Sequence, residues 1–214
     1  MQRYIYTYKR KGRWGIKAKI DAKVLGGIGT GLQAFSQVLA IQEVREIEKL
    51  VISNLNKESV EKFRVMIEDI KNRDFEIGVA DSNDALAEQS DMICTCTPAH
   101  TPVFDGNQLK PGTHVNAIGS FTSFMQEIDA TTVQRSSKIV TEHLEGLWKA
   151  AGDRLIPLEK NEISKEVVTG TVGEALVGKI PTRETDKEIT LNESIGSGVL
   201  DIALAIHVYE KLLK

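Results

Sequence analysis

Apolar residues along this chain gather in short runs, and helical spacing fills the stretches between them. The run Lys23-Val24-Leu25-Gly26-Gly27-Ile28 ends in glycines, and Leu32 to Ile41 has helix-forming composition, which predicts strand, tight turn and helix. A second run, Lys49 to Ser53, leads into Asn56, a helix N-cap by type, after which Val60, Phe63, Ile67 and Ile70 recur at three- and four-residue steps. Phe75 to Ala80 and Met92 to Thr97 read as further strands around a short helix starting near Ser82, and His114 to Ile118 and Lys138 to Thr141 continue the series. Strands alternating with helices require parallel pairing through right-handed crossovers. The expected fold class is therefore α/β: a Rossmann-type, doubly wound, mostly parallel sheet covered on both faces.

Past Gly170 the texture changes to a short helix over Thr171 to Lys179, a break at Pro181-Thr182-Arg183, an extended piece over Glu188 to Leu191 and a helix from Gly198 to Lys214. Between Val199 and Tyr209 only Asp201 and His207 are not apolar, so that last helix needs cover on several sides. There is no internal repeat.

Composition narrows the classes. The chain has 214 residues, 41% hydrophobic and 27% charged, which suits a soluble domain with a real core and excludes disordered, collagen-like and coiled-coil types. No run approaches the roughly 18 apolar residues of a membrane span, so the expected setting is cytoplasmic, without a membrane partner. The formal charge of −3 hides a basic arm: residues 1 to 23 carry eight Lys or Arg against Asp21 alone. A nucleic-acid role could rest only on that arm, and none is expected. Cys94 and Cys96 would share one face of a strand at roughly two rises, or about 6.6 Å, and read as buried free thiols. The four histidines are scattered without metal-ligand spacing, so no metal is expected.

The strongest chemical signal is Gly29-Thr30-Gly31-Leu32-Gln33-Ala34, a G-x-G-x-x-A run between predicted strand and helix. Gly29 permits the tight turn, Gly31 lets the backbone approach a pyrophosphate, and Ala34 allows close helix packing, while the helix start offers free amides. The second strand ends at Ser53-Asn54, 24 and 25 residues after Gly29, where an NAD site would normally place an acid for the ribose. Either small polar residue can bond a ribose, and Lys57 stands close enough in sequence to meet a 2′-phosphate, which slightly favours NADP over NAD. Lys57 on a solvated helical turn is the equal alternative. Thr95 and Thr97 close the fourth strand, and Val115-Asn116-Ala117-Ile118-Gly119-Ser120 the fifth, at ends where open sheets place ligands. No nucleophile-base pair can be assembled, so the chemistry would belong to the cofactor.

Taken in order, Asp21 to Ala34, Cys94-Thr-Cys-Thr-Pro98, Pro102-Val-Phe104, Leu109-Lys-Pro-Gly-Thr-His-Val-Asn-Ala-Ile-Gly-Ser-Phe121, Glu188-Ile-Thr-Leu191 and Ser194-Ile-Gly196 resemble the ornithine cyclodeaminase/mu-crystallin family from about residue 19 onward. The resemblance implies an NAD(P)-dependent oxidoreductase acting on a small amino-acid or imino-acid substrate, as a homo-oligomer. It places cofactor contacts on Gly29, Thr30, Gly31, Leu32 and Gln33, on Ser53 or Asn54, on Thr97, on Val115, Asn116, Ala117 and Ile118, and on Ser194.

Departures from the family pattern shape the expected activity. Phe121 stands where cyclodeaminases carry a catalytic acid, which argues against ornithine cyclisation and leaves imino-acid reduction or amino-acid oxidation. Glu193 replaces a lysine before the Ser194-Ile-Gly196 motif. The family also has a substrate and dimerisation domain before the glycine loop, whereas only 28 residues precede Gly29 here and Ile5 stands where a substrate-binding Arg would be. The expected layout is a basic arm over 1–18, a dinucleotide-binding domain over 19–185, and a strand and helix over 186–214 that in the family return to the substrate domain. A vestigial nucleotide-binding protein without turnover is the alternative.

Overall fold

The computed structural model describes residues 18–212; the basic arm and Ile5 fall outside them, apart from Ala18, which is buried. Eight parallel strands form a single sheet: β1 (Val24–Ile28), β2 (Lys49–Ser53), β3 (Glu76–Val79), β4 (Met92–Thr95), β5 (His114–Ala117), β6 (Ser136–Thr141), β7 (Gly170–Thr171) and β8 (Ile189–Glu193). Their spatial order is β3-β2-β1-β4-β5-β8-β6-β7, with Leu25 opposite Leu50 on one side and Met92 on the other. The chain winds outward from β1 to β3, then returns to place β4 against the free side of β1. The two directions of winding part at the carboxyl ends of β1 and β4, the crevice where open α/β sheets receive ligands.

Helices cover both faces. Helices α1 (Leu32–Gln42) and α2 (Lys57–Ile70) set Ala34, Val38, Ile41, Val60, Phe63 and Ile67 against Leu25, Leu50, Ile52 and Met92. On the opposite face α3 (Asn83–Gln89) and α4 (Ala130–Arg135) bury Leu86, Ala87 and Val133 against Ile28, Ile93, Val115 and Leu191. Burial on both sides is why the inner strands read as near-continuous apolar runs. Each fully buried aliphatic side chain contributes about 1.5 to 3 kcal/mol.

The strands come out close to the sequence expectation, and the differences have local causes. Strand β4 stops at Thr95 because the Thr97 amide leaves the ladder to bond the Glu127 carboxylate, at 2.5 Å, just before Pro98. The helix expected over Thr171 to Lys179 is one short turn, α7 (Val172–Leu176), opened by a capping box between Thr171 and Glu174. Helices α4, α5 (Leu144–Ala150) and α6 (Gly152–Glu159) are not among the elements the sequence pattern predicts. The extended piece near Leu191 is an inner strand, β8, paired with β5 on one side and β6 on the other.

The last helix, α8 (Gly198–Leu212), leaves Val199, Ile202, Ile206, Val208 and Tyr209 exposed. Among the described residues no helix is long and apolar enough to cross a membrane.

Candidate functional site

The glycine turn is built as its sequence requires. Gly29 has φ +102°, and a Cβ there would stand 2.5 Å from the Cys96 carbonyl oxygen, so both conformation and space demand glycine. Its amide donates to the Ser53 carbonyl at 2.9 Å, which holds the turn against the end of β2. Gly31 caps α1 with extended backbone, φ −84° and ψ −176°, and offers no side-chain cap to the helix. A Cβ on Gly31 would meet nothing within 4 Å. The amides at the start of α1 therefore face open space along the positive end of the helix, and Leu32 beside them is exposed. Among the described residues no bulky side chain plugs this corner.

Ser53 and Asn54 adjoin the turn. Asn54 Nδ2 donates to Thr30 Oγ1 at 2.7 Å, tying the end of β2 to the glycine loop, while its Oδ1 accepts from the Asn56 amide at 2.9 Å. Ser53 Oγ donates to Asn83 Oδ1 at 2.5 Å, and Asn83 Nδ2 reaches the Val103 carbonyl at 2.6 Å. Beyond them lies a groove of about 780 Å³ whose lining includes Ser53, Asn54, Lys57, Glu61, Asp81 and Asn83. Lys57 opens α2, whose first turn is capped by Asn56 Oδ1 accepting from the Ser59 amide at 3.1 Å.

On the other side of the turn the expected residues divide. Thr97, Ile118 and Ser194 gather at the carboxyl edge: the Ile118 amide donates to the Thr95 carbonyl at 3.0 Å and the Ser194 amide to the Ala117 carbonyl at 2.9 Å. Ala117, at the end of β5, is fully buried, so it can offer a ligand only backbone. Val115 lies lower on β5 with its side chain in the core, and Asn116 points within the molecule, donating to Cys94 Sγ at 3.8 Å and accepting from Asn192 Nδ2 at 3.4 Å. Those two side chains do not reach the edge. Burial pushes the Cys94 thiol up to about 12 and raises Cys96 as well, so neither supplies a thiolate at neutral pH.

Sequence reasoning missed the acids beneath this edge. Glu127 is fully buried and accepts from Thr95 Oγ1 (2.8 Å), the Thr97 amide (2.5 Å), Thr97 Oγ1 (2.7 Å) and the Gly119 amide (2.6 Å). Burial pushes its carboxyl up from the ordinary range, against the pull of these donors. Behind it Asp153 Oδ1 accepts from the amides of Glu127 and Ile128, at 2.6 and 3.0 Å. Glu193, which replaces the family's lysine, forms a fully buried ion pair with Arg154 at 3.0 Å. Removing either partner of such a pair typically costs about 3 to 5 kcal/mol. The sole sequence hint for Glu127 was an acid flanked at short range by Met125 and Ile128.

At the mouth Phe121 and Phe124 are exposed by 60% and 61%, and the Phe124 ring stacks on His100 with centroids 5.5 Å apart.

The chain is 34% identical over 197 residues to a Δ1-pyrroline-2-carboxylate reductase of Bacillus cereus, a match that covers 92% of this chain and 60% of that protein. It is 33% identical over 214 residues to an alanine dehydrogenase of Archaeoglobus fulgidus, covering 98% and 64%. Its fold superposes on the Δ1-pyrroline-2-carboxylate reductase of Thermococcus litoralis, solved with NADH and L-proline, with a TM-score of 0.88 and 33% identity over 94% of this chain and 61% of that one. The chain thus spans about 60% of the length of the curated reductases it matches. The profile of the ornithine cyclodeaminase/mu-crystallin family matches residues 16–214. With the glycine turn, the switch-point crevice and this extent of similarity together, the chain belongs to the ornithine cyclodeaminase/mu-crystallin family.

Proposed function

We propose that this chain binds a nicotinamide dinucleotide and serves an oxidoreductase that reduces a small imino acid, or oxidises the matching amino acid. The observation that carries the reading is the uncapped, open start of α1 above a left-handed Gly29. A diphosphate there would accept bonds from amides that the protein leaves without a side-chain partner, at the positive end of the helix. The cofactor, when bound, supplies or takes the hydride. The chain's own part is to bind and orient it: the turn for the pyrophosphate, Ser53 and Asn54 for the adenosine ribose, and the ends of β4, β5 and β8 for the nicotinamide half. In the reducing direction the substrate C=N takes hydride and a proton while the nicotinamide is oxidised. Phe121 can transfer no proton, so ornithine cyclisation is not the proposed activity.

Charge in the groove bears on the nucleotide. Lys57 would favour a 2′-phosphate, as the sequence suggests, but Glu61 and Asp81 line the same groove and oppose a dianion. We infer a preference for NADH over NADPH. A second reading, binding without turnover, draws on the acids at this edge: Glu127, Asp153 and Glu193 are all buried, so none of the three is placed to hand a proton to a substrate.

Fluorescence titration with NADH and NADPH, followed by oxidation assays with pyrroline-2-carboxylate and with pyruvate plus ammonia, tests these readings. Saturable binding with NADH consumption supports the oxidoreductase. Binding without consumption selects the second reading, and no binding of either nucleotide rejects both.

A further inference from the structure

A dinucleotide lying across a doubly wound sheet, with its diphosphate at the β1–α1 turn and its adenosine toward β2, extends its other half over β4 and β5. Beyond the backbone ladder, one carboxylate ties those two strand ends together. Glu127 Oε1 accepts from the amide and the hydroxyl of Thr97, past the end of β4, and Oε2 accepts from the Thr95 hydroxyl and the Gly119 amide, past the end of β5. Each oxygen thus holds two donors, Oε1 both from Thr97 and Oε2 one from each strand end. Gly119 allows the approach, since a Cβ there would collide with the Thr97 carbonyl and the Glu127 carboxyl.

The segment that carries Glu127 is fixed in turn. Its own amide and that of Ile128 donate to Asp153 Oδ1, the Gln126 amide donates to the Ala99 carbonyl at 2.9 Å, and the Val103 amide donates to the Glu127 carbonyl at 2.8 Å. The carboxylate is therefore a rigid post between two turns, on the side of the crevice away from the adenosine groove. With four donors on its two buried oxygens, the Glu127 carboxyl has its geometry closely specified.

We propose that Glu127 is a positioning residue for the nicotinamide half of the bound dinucleotide, holding Thr97 and Gly119 so that the ends of β4 and β5 form the seat for the ring. The inference rests on the dinucleotide reading above. It predicts that the carboxylate matters for the half of the ligand that lies over β4 and β5 and not for the half that lies over β2.

ADP-ribose, which shares the adenosine, diphosphate and second ribose but lacks the nicotinamide, separates the two. Dissociation constants for NADH and ADP-ribose are measured on the full chain, on Glu127→Gln and on Thr95→Val, with thermal unfolding recorded for each. The expected result is that the wild type prefers NADH, and that Glu127→Gln weakens NADH by about tenfold while ADP-ribose changes by less than about twofold. Thr95→Val, which removes one of four donors and keeps the side-chain volume, shows a smaller loss in the same direction and carries the test if Glu127→Gln does not fold. Equal losses for both ligands, no loss for either, or a wild type that binds the two alike would overturn the proposal and leave Glu127 a structural acid. A wild type that binds neither ligand would instead overturn the dinucleotide reading itself.

Discussion

Gly29 and Gly31 are two residues apart and resist a side chain for different reasons. Gly29 is left-handed and faces the Cys96 carbonyl, so Gly29→Val forces strain of about 1 to 3 kcal/mol before any ligand is considered. Gly31 has extended backbone and open space in front of it, so Gly31→Val costs the free protein little, about 1 kcal/mol or less for a poorer N-cap. What the valine occupies is the approach to the α1 amides. Calorimetry and NADH titration on the two variants are expected to diverge: Gly29→Val lowers the unfolding midpoint by several degrees, at about 2 to 4 °C per kcal/mol. Gly31→Val keeps a midpoint near that of the wild type while binding falls by more than about tenfold. Undiminished NADH binding by Gly31→Val would remove the diphosphate from this corner. The glycines were legible in sequence because their roles are local. Glu127 was not, because it is 30 residues from Thr97 and its meaning arises only when folding brings the two loops together.

The elements repeat that contrast. The α/β alternation was readable wherever a run was long enough to show a period, as in α2 with its apolar stripe of Val60, Phe63 and Ile67. Helices α4 and α5 have six and seven residues, too few to establish one. In α6 the sequence misleads outright, since Asp153 and Arg154 are buried and Pro157 lies inside the helix. Strand ends opposite the crevice are tied by another acid. Asp91 Oδ2 accepts from the amides of Lys23 and Val24, at 2.9 and 3.0 Å, and Oδ1 meets Lys110 at 2.8 Å and Lys19 at 3.7 Å. Burial alone would raise this carboxyl, but the Lys110 bond and the two amides outweigh it and hold it below the ordinary range. A carboxyl depressed in the fold stabilises above its unfolded value, near pH 4, and loses that contribution as pH falls through the folded value. Asp91→Asn is therefore expected to cost about 1 to 3 kcal/mol at pH 7. Urea denaturation of both proteins at pH 7 and pH 3 should show the gap narrowing in acid; a gap independent of pH would mean that the carboxylate charge contributes nothing.

For the molecule as a whole, the exposed row on α8 matters most. Val199, Ile202, Ile206 and Tyr209 are exposed by 74%, 63%, 53% and 64%, in a contiguous apolar stretch of the kind that drives association. Sedimentation velocity is expected to find a mass that rises with concentration, and the pair Ile202→Lys and Ile206→Lys to shift the protein toward monomer. Unchanged association in that double variant would place the contact on another surface. The apolar character of this helix was plain in the sequence; which side chains stay uncovered depends on the placement of the rest of the fold.

Strand β8 enters the sheet between β5 and β6, and its pairing with β5 joins His114 to Thr190, 76 residues later. Without residues 189–193 in place, β5 and β6 would each present an unpaired hydrogen-bonding edge. Whatever delays or displaces residues 189–193 leaves two open edges in the middle of the sheet rather than one at its rim, and exposed edges of that kind recruit foreign strands.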